Sequence, residues 1–153
     1  MPPLSSNKKL LLIGASRGLG FALAEEYLKR GWHVVATERD SATSKLHDLL
    51  RDAQGRLEIA TVDITDPDQV VALRARLASR QFDMLFVSAG IGTRGMVADI
   101  STDEFIRMMV TNALSPMRIV ESFQDLVLPT GTIGIMSSGQ GSITSAKANR
   151  SDL

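Results

Sequence analysis

Cysteine is absent from this sequence of 153 residues. The chain can therefore form no disulfide, offers no thiolate nucleophile and contains no cysteine-ligated metal site. Its two histidines, His33 and His47, have no potential ligands at metal-binding spacing. We expect both histidines to be surface residues without a functional role, and we expect no bound metal.

Net charge is lacking as well, because 17 lysines and arginines balance 17 aspartates and glutamates. With no basic surplus, the composition does not favour nucleic acid or an anionic lipid surface as a partner. The apolar run from Leu10 to Ile13 is much too short for the core of a signal peptide or for a membrane-spanning helix. We therefore expect a soluble, cytoplasmic protein that binds neither nucleic acid nor membrane.

The composition that is present is typical of a globular protein, with 44% hydrophobic and 22% charged residues. The length suits one domain with a sizeable core. No internal boundary is visible, so residues 1–153 are interpreted as a single domain or as part of one.

Strand and helix patterns alternate along the chain. Short apolar segments typical of strands occur at residues 9–14, 33–38, 57–62, 82–90 and 132–138. Helical spacing of apolar residues occurs at 18–30, at 41–53, after Asp66-Pro67 and at 102–128. This alternation predicts an α/β fold, namely a doubly wound, Rossmann-type parallel sheet of about five strands with helices on both faces.

Individual residues set the expected helix ends. Asp66 and Pro67 are typical of a helix start, because aspartate caps free N–H groups and proline fits the first turn. Thr102 is the expected cap of the long last helix. Pro116 inside that helix should bend it or loosen its hydrogen bonds near Asn112.

The segment GASRGLG (14–20) follows the first strand and opens the first helix. In a doubly wound sheet this turn lies beyond the carboxyl ends of the strands, where ligands bind. A helix start offers unpaired N–H groups and a partial positive charge, which suit a pyrophosphate. Gly14 would end the strand, Gly18 would let the backbone approach phosphate, and Gly20 would let the helix pack on the sheet. The motif therefore predicts nucleotide binding, although its G-x-x-x-G-x-G spacing differs from G-x-G-x-x-G.

Five segments, in the expected order, resemble the short-chain dehydrogenase/reductase family. They are GASRGLG (14–20), VDITD (62–66), VSAG (87–90), TNALSP (111–116) and IMSSGQGSI (135–143). Because several motifs agree, the resemblance does not depend on the glycine turn alone. It implies reversible hydride transfer between a nicotinamide dinucleotide and an alcohol or ketone.

The resemblance also assigns roles to individual residues. Ser138 matches the serine that orients the carbonyl, and Asn112 matches the active-site asparagine. The residues implied at the cofactor are Gly14, Ser16, Arg17, Gly18, Leu19, Gly20, Glu38, Arg39, Asp63, Ile64, Ala89 and Gly90. Of these, Asp63 would contact the adenine ring. Without the family pattern, Ser138 would be one of many serines after a strand, and Asn112 could simply bridge the helix irregularity made by Pro116.

The end of the second strand bears on the choice between NAD and NADP. Glu38 lies where an acidic residue would accept hydrogen bonds from the ribose hydroxyls and repel a 2′-phosphate. Arg39 and Arg17 would instead bind that phosphate through charge-assisted contacts. Two arginines against one glutamate favour NADP slightly. Arg39 could also pair with Glu38 or Asp40, so both cofactors stay open.

One part of the family pattern has no counterpart at the expected place. The resemblance implies a Tyr-x-x-x-Lys pair after the serine, in which the tyrosine delivers a proton and the lysine lowers its pKa. The single tyrosine is Tyr27, and Ile143 stands four residues before Lys147. We therefore expect the cofactor-binding portion of an enzyme without the last strands of the family fold, and little or no turnover by this chain.

Two other interpretations stay open. The chain could be a non-catalytic dinucleotide-binding or interaction module, or a truncated product without a function. Without the last strands of the family fold, the fifth strand would present an exposed apolar edge. We therefore expect the chain to be marginally stable, to self-associate as a homo-oligomer, or both.

Overall fold

A computed structural model describes residues 7–40, 44–93 and 95–138. The expectations that concern Ile143 and Lys147 lie outside these residues. In the described part of the chain, no helix combines the length and the apolar character that crossing a bilayer requires.

Strands and helices alternate along the described residues, as predicted. The strands are β1 (Lys9–Ile13), β2 (His33–Glu38), β3 (Leu57–Thr61), β4 (Phe82–Val87) and β5 (Val127–Ile135). The α-helices are α1 (Gly18–Lys29), α2 (Pro67–Arg76), α3 (Thr102–Met109) and α4 (Ser115–Phe123). Short 3₁₀ helices cover Lys45–Leu50, Val97–Asp99 and Gln124–Leu126, and a π-helical turn covers Val110–Leu114.

The strands form one sheet in the order β3-β2-β1-β4-β5, and every neighbouring pair is parallel. The predicted Rossmann-type fold is therefore confirmed. β1 lies at the centre of the sheet, and its residues from Leu10 to Ile13 are all buried. Consecutive apolar residues suit this position because a central parallel strand is covered on both faces.

The side chains of β1 alternate between two apolar cores, one on each face of the sheet. One core includes Leu11, Ile13, Leu85, Val70, Leu73, Ile119 and Phe123, from β1, β4, α2 and α4. The other includes Leu10, Leu12, Val34, Ala36, Ala24, Leu28 and Leu46, from β1, β2, α1 and the Lys45–Leu50 helix. The sheet is therefore the middle layer of three.

The turn between β1 and α1 is packed so closely that two of its glycines leave no room for a side chain. A Cβ atom on Gly20 would lie 1.9 Å from the carbonyl oxygen of Gly14, because α1 packs directly on the turn. A Cβ atom on Gly14 would lie 2.7 Å from the backbone nitrogen of Ala89, and Gly14 also has a φ of +86°. The fold itself therefore requires both glycines.

Helix caps agree with the sequence at one helix and differ at another. The carboxylate of Asp66 accepts hydrogen bonds from two N–H groups of the first turn of α2, and Pro67 is the first helical residue. This predicted start is confirmed. The cap of α3 is Ser101 rather than Thr102, and its Oγ accepts a hydrogen bond from the N–H of Glu104 at 3.2 Å.

The helix predicted for residues 41–53 is a shorter 3₁₀ helix, Lys45–Leu50, in the described part of that range. The spacing of Leu46, Leu49 and Leu50 fits both kinds of helix, because residues i and i+3 share a face in either. Leu46 is fully buried and provides the main anchor of this segment.

The long helix predicted from residue 102 to about residue 128 is divided into α3 and α4. The π-helical turn Val110–Leu114 lies between them. Pro116 explains the interruption, because it has no N–H group to donate to the carbonyl of Asn112. The loosening predicted near Asn112 is therefore confirmed. The helical region ends at Leu126, close to the end predicted near residue 128.

The last strand, β5, covers Val127–Ile135, whereas the sequence predicted residues 132–138. Its pairing with β4 is irregular between Val127 and Thr132, where β5 contains extra residues. Pro129 lies in this bulge, and proline is tolerated there because it cannot donate to a regular ladder. The bulge breaks the strand pattern, which is why the sequence misses the first half of β5.

Large apolar side chains are exposed on α3, α4 and β5. They include Phe105, Ile106, Met109, Met117, Ile133 and Ile135. Self-association of the chain stays a prediction. These exposed side chains lie on the fifth strand, on which the prediction was based, and on the two helices before it.

Glu58 on β3 is held by two arginines. Its carboxylate accepts hydrogen bonds from Arg76, at the end of α2, and from Arg80. Partial burial raises the pKa of Glu58, but the hydrogen bonds and positive charges of Arg80 and Arg76 outweigh it and leave the pKa below its usual value. The folded state therefore favours the ionised carboxylate.

The close packing of the glycine turn gives a first prediction. Gly20→Ala should reduce the free energy of unfolding by at least about 3 kcal/mol, because the new methyl group would overlap a backbone carbonyl that cannot move away. Gly92→Ala is the matched control, since nothing lies within 4 Å of the Cβ position of Gly92. Its effect should stay within about 0.5 kcal/mol. Urea unfolding followed by circular dichroism measures both, and equal effects would contradict the packing argument.

The arginine pair around Glu58 predicts how stability depends on pH. Because the folded state lowers this pKa, the unfolded state binds the proton first as the pH falls, and stabilisation present at neutral pH is lost. Glu58→Gln should therefore be less stable than the wild type at pH 7, and the difference should shrink as the pH falls and Glu58 becomes protonated in the folded state as well. Urea unfolding at a series of pH values tests this, with Glu121→Gln, at an exposed position of α4, as the control. If the difference in free energy of unfolding between the wild type and Glu58→Gln is the same at every pH, the charge of Glu58 does not contribute to stability.

Candidate functional site

A cleft of about 1160 Å³ opens at the carboxyl ends of the strands. Residues that follow each strand line it, among them Gly14, Arg39, Asp63, Ala89 and Met136. β2 and β3 extend the sheet on one side of β1, whereas β4 and β5 extend it on the other. The cleft therefore lies where the strand order reverses, which is the usual ligand site of an open α/β sheet. Its volume is large enough for an extended ligand such as a dinucleotide.

Gly18 is the glycine of the turn that faces open space. It lines the cleft with a φ of +57°, and no atom lies within 4 Å of its Cβ position. A side chain at this position would strain the backbone and would fill the space beside it. The backbone is therefore accessible to a phosphate at this point, which fits the role that the sequence predicts for Gly18.

Backbone hydrogen bonds fix the glycine turn against its neighbours. The N–H of Gly14 donates to Oγ1 of Thr37 at 2.9 Å, and the N–H of Ala15 donates to the carbonyl oxygen of Thr37 at 2.7 Å. On the other side, the N–H of Ser88 donates to the carbonyl oxygen of Ile13 at 2.8 Å. The ends of β1, β2 and β4 are thus joined at the base of the cleft.

The start of α1 differs from the starts of the next two helices. Arg17 is the N-cap residue of α1, its side chain makes no capping hydrogen bond, and the first turn contains no acidic residue. In α2 and α3 the caps are Asp66 and Ser101, and acidic residues lie in both first turns. The N–H groups and the partial positive charge at the start of α1 therefore stay available for an anion.

Asp63 lies in the wall of the cleft just after β3. Its Oδ1 accepts hydrogen bonds from the hydroxyl of Thr65 at 2.7 Å and from the N–H of the same residue at 2.9 Å. The hydroxyl bond is the main reason that the pKa of Asp63 lies below its usual value; partial burial opposes it, and the charge of Arg39 assists it. Asp63 is therefore a fixed, ionised carboxylate close enough to Arg39 for the two charges to interact.

The two charged residues at the end of β2 have different surroundings. Glu38 is buried, and its Oε1 lies 2.6 Å from Nε2 of His47, whereas Arg39 is exposed. Glu38 therefore pairs with His47 and not with Arg39. His47 lies at the surface, as expected, and its ring also contacts the buried carboxylate of Glu38.

Asn112 joins the π-helical turn to the segment after β4. Its Oδ1 accepts a hydrogen bond from the N–H of Ile91 at 2.8 Å, and its Nδ2 donates to the carbonyl oxygen of Ile91 at 2.7 Å. A Cβ atom on Gly90 would lie 3.4 Å from the same Oδ1. Asn112 thus bridges the helix irregularity to a segment that lines the cleft, and its catalytic role stays a prediction.

The structure brings together the residues predicted at the cofactor. The cleft is lined by Gly14, Ser16, Arg17, Gly18, Leu19, Gly20, Glu38, Arg39, Asp63, Ile64, Ala89 and Gly90. The two predicted catalytic residues lie outside this lining among the described residues: Asn112 is next to Gly90, and Ser138 is exposed beyond the end of β5. The binding roles of all these residues stay predictions.

Sequence reasoning missed several residues that shape the cleft. Thr37 holds the glycine turn, yet in the sequence it is only one more strand residue. Ser44 lines the cleft, and its hydroxyl donates to the carbonyl oxygen of Ser16 at 3.3 Å. Its place before the Lys45–Leu50 helix is typical of a cap and could have indicated it. Arg107 lines the cleft from α3, and no local pattern separates it from an ordinary surface arginine.

A family model described as short chain dehydrogenase matches residues 8–149 of the chain. Among proteins of known description, a short-chain dehydrogenase of Aspergillus ruber, fogD, is 33% identical over 133 residues, which are 84% of this chain and 45% of that protein. The 1-hydroxy-2-glutathionyl-2-methyl-3-butene dehydrogenase of a Rhodococcus species is 28% identical and covers 88% of this chain and 58% of that protein. The chain thus spans about half the length of these relatives.

Solved structures agree with the sequence comparison. A protein of Burkholderia multivorans described as a short-chain dehydrogenase/reductase, with bound NADP, has a TM-score of 0.86 and 53% identity, over 91% of this chain and 62% of that one. A carbonyl reductase of Pseudomonas aeruginosa PAO1 in complex with NADP has a TM-score of 0.85 and 33% identity over the same shares. With the cleft at the strand ends, the glycine turn and the family model in agreement, this chain belongs to the short-chain dehydrogenase family.

Proposed function

We propose that this chain is the cofactor-binding portion of an oxidoreductase that transfers a hydride between NADP and an alcohol or ketone. The observation that carries the proposal is the glycine turn. Gly18 has no atom within 4 Å of its Cβ position and opens a helix whose start has no side-chain cap. Membership of the short-chain dehydrogenase family supports the class of reaction.

The start of α1 fits the phosphates of a dinucleotide. The first hydrogen bond along this helix runs from the N–H of Phe21 to the carbonyl oxygen of Arg17. The N–H groups of Gly18, Leu19 and Gly20 therefore have no acceptor within the helix. They would hold the pyrophosphate, and the partial charge of the helix would stabilise it.

Charges near the end of β2 support NADP over NAD. Arg39 and Arg17 are exposed and line the cleft, whereas Glu38 is buried. A guanidinium group binds phosphate through paired, charge-assisted hydrogen bonds. The Burkholderia and Pseudomonas relatives were both solved with NADP, which supports the same choice.

The remaining residues would position the reactants. The nicotinamide supplies the hydride when the cofactor is bound. Asn112 would hold the segment after β4 in place through its two hydrogen bonds to Ile91. Ser138 would orient the carbonyl of the substrate, as the family resemblance implies.

A complete catalyst needs a residue that delivers a proton, whereas a cofactor-binding module does not. The family resemblance assigns this step to a tyrosine, and Tyr27 is the one tyrosine of the sequence. Its ring packs against Trp32 with the centroids 4.8 Å apart. Trp32 immediately precedes β2, so this contact lies at the amino-terminal edge of the sheet, opposite the cleft. This placement supports cofactor binding without proton transfer by Tyr27.

We expect the chain to bind NADP more tightly than NAD, with Arg39 as a main contributor. Arg39→Ala should weaken NADP binding by about tenfold or more, because it removes a charge-assisted contact to the 2′-phosphate, and should leave NAD binding nearly unchanged. Isothermal titration calorimetry with each cofactor measures both constants. Arg118→Ala, at an exposed position of α4 away from the cleft, is the control. Equal weakening of both cofactors by Arg39→Ala would count against a 2′-phosphate contact.

We also expect the chain of 153 residues to bind NADPH without reducing a ketone or aldehyde. The reason is that its single tyrosine is distant from the cleft and cannot donate the proton. Absorbance at the NADPH band, followed with a panel of carbonyl compounds, measures turnover, and Tyr27→Phe serves as the matched variant. If the wild type reduces a carbonyl compound and Tyr27→Phe does not, Tyr27 donates the proton and this prediction is wrong.

A further inference from the structure

Glu38 lies at the position that decides between NAD and NADP and is one of the residues that line the cleft, but its side chain is buried and paired with His47. It belongs to the same face of β2 as Val34 and Ala36, which pack under α1 and the Lys45–Leu50 helix. The side chain has 0% exposure, so it offers no surface to a ribose hydroxyl. Strand alternation thus points the carboxylate toward the helix layer.

His47 holds the carboxylate in this position. Its Nε2 lies 2.6 Å from Oε1 of Glu38, and its side chain is 43% exposed at the surface of the helix layer. The other oxygen, Oε2, is buried and has no hydrogen-bond partner among the described residues. His47 is therefore the hydrogen-bond partner that retains this carboxylate beneath the helix.

The helix that carries His47 is itself fixed to the glycine turn. Oγ of Ser44 accepts a hydrogen bond from the N–H of Leu46 at 3.1 Å and donates one to the carbonyl oxygen of Ser16 at 3.3 Å. Leu46 is completely buried in the core. The position of the imidazole over Glu38 thus follows from the same packing that builds the cofactor turn.

The retracted carboxylate changes the balance of charge at the ribose end of the cleft. An exposed acidic side chain at this point would accept hydrogen bonds from the 2′-hydroxyl of NAD and would repel the 2′-phosphate of NADP. Arg39, the residue after β2, is exposed and lines the cleft. At this end of the cleft the guanidinium group is therefore exposed, whereas the carboxylate is buried and paired with His47.

We propose that His47 is a positioning residue for cofactor specificity: by binding Glu38 it withdraws the carboxylate from the ribose site and so makes the chain select NADP over NAD. The proposal rests on the proposed cofactor binding and adds to it the residue that sets the preference. It concerns the choice between two dinucleotides that differ by a single phosphate. The glycine turn would contribute equally to the binding of NAD and of NADP.

The test is the ratio of the dissociation constants of NAD and NADP, measured by titration calorimetry on the full chain. His47→Ala should lower the preference for NADP by about tenfold or more, because the released carboxylate can turn toward the ribose and repel the 2′-phosphate. His47→Met, which keeps the volume of the side chain but cannot donate, should do the same. Circular dichroism melting confirms that each variant is folded.

Glu38→Gln in the His47→Ala background provides the decisive rescue. It removes the charge while keeping the shape, so the preference for NADP should return to within about threefold of the wild type. His33→Ala is the matched control, since His33 is the other histidine of the sequence and lies at the opposite end of β2. It should leave the ratio unchanged.

The possible failures are distinguishable. If the wild type binds neither cofactor, the proposed function is wrong and this inference falls with it. If the wild type prefers NADP and both His47 variants weaken the two cofactors equally, His47 has only a structural role and this inference alone is wrong. The inference is also wrong if His47→Ala lowers the preference for NADP and the added Glu38→Gln substitution does not restore it.

Discussion

The approach of α1 to the end of β1 is the contact on which the rest of the structure depends. The Cβ position of Gly20 lies 1.9 Å from the carbonyl oxygen of Gly14, so only hydrogen atoms fit between the helix and the turn. Thr37 ties the same turn to β2, and Ala89 passes against it after β4. Three strand ends therefore converge on one turn. The cleft is the space that remains beyond it.

This packing also decides where charge can act. The chain has no net charge, yet the start of α1 combines free N–H groups with the exposed side chain of Arg17. The first turns of α2 and α3 carry acidic residues instead, and the side chains of Asp66 and Ser101 cap these two helices. An anion therefore finds its most favourable helix start at the glycine turn. The ionised Asp63, whose pKa is lowered chiefly by the hydroxyl of Thr65, faces the same cleft and interacts with Arg39.

Most of the fold could be predicted because its strands are short apolar runs separated by clear turns. Predictions failed where local pattern and tertiary packing disagree. Residues 127 and 128 were predicted as helix but begin β5, because β4 supplies an edge against which an irregular strand can pair. The segment Lys45–Leu50 has the spacing of an α-helix and forms a 3₁₀ helix, since one buried leucine suffices to anchor it. Such choices depend on neighbours that are distant in sequence.

The sequence by itself determined the glycine turn, the order of strands and helices, and which residues gather at the strand ends. These follow from steric rules and from periodicity, which act over a few residues. Only the tertiary structure decided what Glu38 does. Its type and position favour a ribose ligand, but strand alternation buries it and the fold brings His47 over it. A buried carboxylate needs a partner, and that partner is chosen by the packing of the Lys45–Leu50 helix on the sheet.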